Sequence, residues 1–95
     1  FEVDNTILNS SHCIMTDVFN SMNDLDDKEL ILNKFQVNKE IMSMTNSETI
    51  FMHCLPAKIG SEVTEDVIRG NKSIVIKQAK NRMVSQRGIL KWLDI

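Results

Sequence analysis

Apolar and polar positions along the chain fall into short blocks that switch between a strand-like and a helix-like period. "HCIMTDVF", His12 to Phe19, is rich in apolar and β-tolerant residues behind the polar cluster Asn9-Ser10-Ser11, and predicts a first strand. "NSMNDLDD", Asn20 to Asp27, predicts a loop, because Asn, Ser and Asp bond to their own local backbone. Leu30, Ile31, Leu32 and Phe35 then suit a short helix from Lys28 to Phe35, with Asp26 or Asp27 at its positive amino end. Asn38 can cap a second short helix, "KEIMSM", with Ile41 and Met42 or Met44 facing inward. "ETIFMH" predicts a second strand, and Pro56 and Gly60 make "CLPAKIG" a loop at its carboxyl end. Thr64 caps a helix, "EDVIRG", which has two acids in its first turn and Gly70 as terminator. "SIVIKQA" is a nearly continuous β-branched run that predicts a third strand, covered on both faces. Met83, Ile89, Leu90 and Leu93 place a closing helix over Arg82 to Leu93.

Strands alternating with helices imply βα units, hence an α/β fold around a parallel sheet in βαβα order. Ligands of such sheets bind beyond the carboxyl ends of the strands. Polar groups stand at or beyond the carboxyl ends of the three expected strands: Asp17, the pair His53-Cys54, and the pair Asn81-Arg82.

Length and charge narrow the picture. The 95 residues suffice for one hydrophobic unit, a single domain or part of one. Eleven Lys and Arg against 13 Asp and Glu leave a net charge of −2, which offers no basic field for nucleic acid or an anionic membrane. Apolar runs are broken by charge well short of the roughly 20 residues of a spanning helix. Glu2 and Asp4 stand where a secretory signal would be basic. The expectation is a soluble, intracellular chain. Two cysteines, Cys13 and Cys54, are too few for a small disulfide scaffold and are read as free thiols. His12, Cys13, His53 and Cys54 show no metal-ligand spacing, so no metal is expected.

The residue types at the strand ends carry chemistry. A thiol beside an imidazole can be a nucleophile with its base, yet neighbours on a strand point to opposite faces, which makes His53 a poor base for Cys54. Both could still approach one ligand if the strand has bent into the loop. A buried cysteine acting as a small hydrophobe is the alternative for Cys54. Asp17 could hold a ligand ammonium, or serve only as a turn former. Arg82 at a helix start meets the positive helix end, a conflict that an anionic ligand would relieve; otherwise it is a solvated arginine. His12 and Cys13 read as structural. Trp92, Phe51 and the six methionines read as packing.

Together, "TDVFNSM", "FMHCLPAKIGSEVTEDVIRG" and "QAKNRM" resemble the carboxyl-terminal, ornithine-binding part of the ornithine carbamoyltransferase family. That family is marked by an Asp leading into a Ser-Met-Gly loop, an HCLP motif and a terminal Asn-Arg. The resemblance covers nearly the whole chain and loosens before about residue 12. It implies a partial Rossmann-like domain of the aspartate/ornithine carbamoyltransferase type. It also implies transfer of a carbamoyl group from carbamoyl phosphate to the δ-amine of L-ornithine, giving L-citrulline and phosphate in arginine biosynthesis or the urea cycle. By the same resemblance, Asp17, Ser21 and Met22 match the ornithine-gripping loop, with Asp17 on the ammonium. Cys54 matches the family's proton acceptor, His53, Cys54 and Leu55 match the segment at the carbamoyl group, and Arg82 matches an arginine that binds carbamoyl phosphate. The resemblance implies no metal and no organic cofactor, and a homotrimer in the full-length form. The cytoplasm is the implied compartment, with the mitochondrial matrix as the eukaryotic counterpart.

The residue chemistry suits that reaction. An amine attacks a carbonyl only when neutral, so a site must deprotonate and aim it, work that suits Cys54 and Asp17. Charge growing on the carbonyl oxygen calls for donors, and His53, Arg82 and backbone N–H groups are candidates. Asn23 stands where the family has glycine after Ser-Met, and Lys80 where a glutamate usually precedes Asn-Arg. The family's amino-terminal carbamoyl-phosphate domain, with its Ser-Thr-Arg-Thr motif, has no counterpart in residues 1–95. The chain is therefore expected to be a fragment, inactive alone. The competing expectation is a degenerate, non-catalytic module that binds an amino acid or a neighbouring subunit. A relative acting on putrescine or an acetylated ornithine is a further alternative, which the Asp17-Ser21-Met22 set argues against because it addresses a free amino-acid head.

Overall fold

A computed structural model describes residues 2–19 and 32–94. The expected loop at 20–27, the start of the expected helix at 28–31, and with them Ser21, Met22 and Asn23 lie outside the described residues. Helix α1 spans Asn5–Ser10, where the hydrophobic pattern predicts no element; its cap is Asp4, whose Oδ1 accepts from the N–H of Thr6 at 2.8 Å and of Ile7 at 3.3 Å. Strand β1 is Cys13–Thr16, shorter than the expected His12 to Phe19. A 3-10 turn at Asn33–Phe35 leads to helix α2, Lys39–Ser43. There Asn38 caps as expected, its Oδ1 accepting from Ile41 N–H at 3.0 Å. Strand β2, Ile50–His53, pairs parallel with β1 in the register Cys13 to Ile50 through Thr16 to His53. Helix α3, Glu65–Ile68, carries Glu65 and Asp66 in its first turn, although the Thr64 side chain makes no cap bond.

The expected third strand is a helix instead. Helix α4 runs Val75–Trp92, so it absorbs most of "SIVIKQA" and the whole expected closing helix apart from Leu93, its C-cap. Only one bridge survives of strand pairing there: Phe51 N–H donates to Lys72 C=O at 2.8 Å, and Ile74 N–H to Phe51 C=O at 3.0 Å. The physical reason lies in the residues on the carboxyl side of the β-branched run. Three β-branched residues in a row fit either state, but Lys77 to Trp92 contains many straight-chain helix formers and no proline. Burial agrees, since Val75 is buried while Ile76 is 63% exposed, where a strand covered on both faces would bury each.

Val37, Met42, Phe51, Val63, Val67, Ile68 and Val75 form the core, with Ile14, Ile41, Leu55 and Ala57 packed against it. Alternation along β2 puts Phe51 and His53 inward. A second parallel contact joins residues 36–38 to 62–64 through Val37 N–H to Glu62 C=O at 2.9 Å and Thr64 N–H to Val37 C=O at 3.1 Å. The α/β class with parallel pairing is as expected, but among the described residues the sheet has two strands, with an isolated bridge at Phe51 where the third was expected. Beyond its first turn α4 is exposed, with Met83, Val84, Ile89 and Leu90 open to solvent and Trp92 83% exposed. No helix among the described residues is long and apolar enough to cross a membrane.

Candidate functional site

Strand pairing sets the two halves of the site side by side. Thr16 and His53 are register partners, so Asp17 and Cys54, one residue further on each, leave the sheet together. The Cys54 thiol donates to the Asp17 carboxylate, which also accepts from Val18 N–H at 2.7 Å. The thiol hydrogen bond and the Val18 amide hold the Asp17 carboxyl below its ordinary range. The same contact, with burial and the carboxylate's charge, pushes the Cys54 thiol up, against a smaller downward pull from Arg82. In the resting site the proton therefore stays on sulfur, and Cys54 is a hydrogen-bond donor rather than a thiolate nucleophile. Neither cysteine is in a disulfide.

His53 lies beneath this pair, buried. Its Nε2 is 3.0 Å from Glu62 Oε1, and its Nδ1 accepts from Leu55 N–H at 2.8 Å. Both ring nitrogens are thus engaged inside the protein, and the ring ties the end of β2 to the loop that follows. The His53 N–H donates to Gln78 Oε1 of α4 at 3.1 Å, which occupies the place a third strand would have filled. Leu55 comes next with φ 56°, in the left-handed region that non-glycine residues seldom enter.

Arg82 is not at a helix start. It is exposed on α4, whose first residue is Val75, so the expected clash with a positive helix end does not arise. It reaches the site by charge, acting on Cys54. Two strand ends and one helix therefore gather Asp17, Cys54 and Arg82, instead of three strand ends. Sequence spacing offers no metal set, yet one donor atom each from Asp17, His53 and Cys54 lies within 4.8 Å of the others. Such a set suits zinc in composition, but both nitrogens of His53 are already bonded. Two supporting residues, Glu62 and Gln78, are not predicted from the sequence. Glu62 sits in a loop stretch with no periodicity, and Gln78 falls in the run that reads as a strand.

The aspartate/ornithine carbamoyltransferase Asp/Orn binding domain matches residues 1–93. The chain belongs to that family. It is 48% identical over 82 residues to the ornithine carbamoyltransferase of Nitrobacter winogradskyi, a match covering 84% of this chain and 27% of that protein. Among solved structures, the ornithine carbamoyltransferase of Pyrococcus furiosus superposes with a TM-score of 0.79 at 38% identity, over 90% of this chain and 28% of the other. The anabolic enzyme of Campylobacter jejuni superposes with a TM-score of 0.85 at 28% identity, over 95% and 30%. The Rossmann-like α/β class of this family is thereby established, and the chain spans about a quarter of the length of these relatives.

Proposed function

We propose that this chain is the ornithine-side half of an ornithine carbamoyltransferase site. In that reading a carbamoyl group passes from carbamoyl phosphate to the δ-amine of L-ornithine within a longer, homotrimeric protein, and the fragment alone is inactive. The observation that carries it is the Asp17 carboxylate set against the Cys54 thiol, within 4.8 Å, at the ends of adjacent parallel strands. Asp17 takes the substrate ammonium, with Ser21 and Met22 on the amino-acid head. An ammonium against Asp17 offsets the negative charge that holds the thiol proton, so substrate binding lowers the Cys54 pKa. With its own proton released to solvent as that pKa falls, the Cys54 thiolate accepts a proton from the δ-ammonium, and the neutral amine attacks the carbamoyl carbon. The new C–N bond forms as the C–O bond to phosphate breaks and phosphate leaves. Arg82 binds the anionic donor, and the backbone of His53 to Leu55 faces the carbamoyl group.

Citrulline formation tests this. The chain alone gives none, and the chain mixed with the amino-terminal part of a relative restores turnover that Cys54→Ala or Arg82→Ala abolishes. Failure of any such mixture to turn over, with ornithine binding intact by calorimetry, supports the non-catalytic amino-acid-binding module instead. Comparing ornithine with putrescine in the reconstituted enzyme separates the amine substrates.

A further inference from the structure

Glu62 is wholly buried, and no role in the chemistry above uses it. We propose that Glu62 is a positioning residue: by holding His53 in one neutral tautomer, it fixes the loop that aims the Cys54 thiol. The proposal deepens the transferase reading and rests on it only for the purpose the thiol serves.

The tautomer is set by the hydrogen bonds. Leu55 N–H can only donate, so His53 Nδ1 must offer a lone pair at 2.8 Å. The ring's one proton is then on Nε2, 3.0 Å from Glu62 Oε1. A second proton on the ring would set Nδ1–H against Leu55 N–H and break the loop contact. Glu62 Oε1 also accepts from Lys58 N–H at 2.8 Å, so one oxygen ties the strand end to the far side of the turn. Between these two ties lies Leu55 with its φ of 56°. A conformation of that kind persists only where the surroundings determine it. Glu62 itself is seated firmly: its C=O accepts from Val37 N–H at 2.9 Å, and Gln36 Nε2 donates to Gly60 and Ser61 C=O at 3.0 Å each. Oε2 has no hydrogen-bond partner among the described residues, so a single oxygen does the holding.

Because Oε1 makes both bonds, a neutral amide in its place keeps them, and Glu62→Gln separates positioning from any use of the charge. Long-range proton–nitrogen NMR on the labelled chain, with His12→Gln to assign the two histidines, reads the His53 tautomer. Iodoacetamide alkylation at one neutral pH, with mass mapping of Cys54 against Cys13, reads the thiol. Wild type shows the Nε2–H tautomer. Glu62→Gln keeps that tautomer and an alkylation rate within about twofold, whereas Glu62→Ala loses it and shifts the rate about fivefold, the factor of one ordinary hydrogen bond. If circular dichroism shows Glu62→Ala unfolded, Glu62→Gln decides: folded with the wild-type tautomer supports the proposal, and unfolded or altered overturns it. An Nδ1–H or doubly protonated ring in wild type overturns it, as does an equal response of the Gln and Ala variants, or an Ala variant unchanged in both readouts. Absence of citrulline in the mixing assay with these readouts intact removes the transferase reading and leaves the positioning role standing.

Discussion

At the scale of single residues, the site is a thiol that keeps its proton beside a carboxylate that has lost its own. Asp17 pushes the thiol pKa up, and Arg82 pulls it down. Removing the carboxylate charge should therefore move the alkylation profile of Cys54 to lower pH in Asp17→Asn, and removing the guanidinium should move it to higher pH in Arg82→Ala. Alkylation rate against pH, followed at Cys54 by mass spectrometry, checks both signs; a shift in the same direction for the two variants contradicts the charge arrangement. The residue scale is also the most legible from sequence. Asp17 and Cys54 stand out because each ends an apolar run, and parallel pairing in register then forces them together. His53 is ambiguous for a plain reason: a histidine one residue from a cysteine looks reactive, and only the alternation along β2 shows that it is buried with Phe51.

At the scale of elements, capping is legible only in part, since Asn38 bonds as expected while the Thr64 side chain makes no cap bond and the Asp4 cap of α1 goes unforeseen, and tertiary context reads poorly. Asn38 caps α2 as its residue type predicts, so Asn38→Ala should cost about 1 kcal/mol of stability in urea unfolding. The β-branched run at 74–76 misleads because burial of one face cannot be seen in so short a segment, and its neighbour in space is a lone bridge at Phe51. The strand reading of that run also hides Gln78. Its amide oxygen caps the last N–H of β2, so Gln78→Ala leaves a part-buried donor without its acceptor and should cost about 1–3 kcal/mol in the same measurement. Gly70 adds a steric constraint, because a Cβ there would lie 2.6 Å from the Asp66 carbonyl. Gly70→Ala should destabilise by more than about 1 kcal/mol, since backbone must shift to admit the methyl.

At the scale of the whole molecule, stability is unevenly spread. The first turn of α4 is anchored through Val75, the Ile74 N–H and Gln78, whereas its later turns touch solvent. Helical turns that pack against nothing lack the tertiary contacts from which most helix stability comes. Amide hydrogen exchange should accordingly be slowest at Ile74 and in the turn that begins with Gln78, whose N–H groups are bonded, and fast beyond Met83. The uncovered later turns also give the chain an optical property of its own. It holds one tryptophan and no tyrosine, and that indole, Trp92, sits at the far end of α4 almost fully in water. Intrinsic emission thus comes from one address, starting at the red limit, and any surface that comes to cover the helix announces itself as a blue shift without a dye or a label.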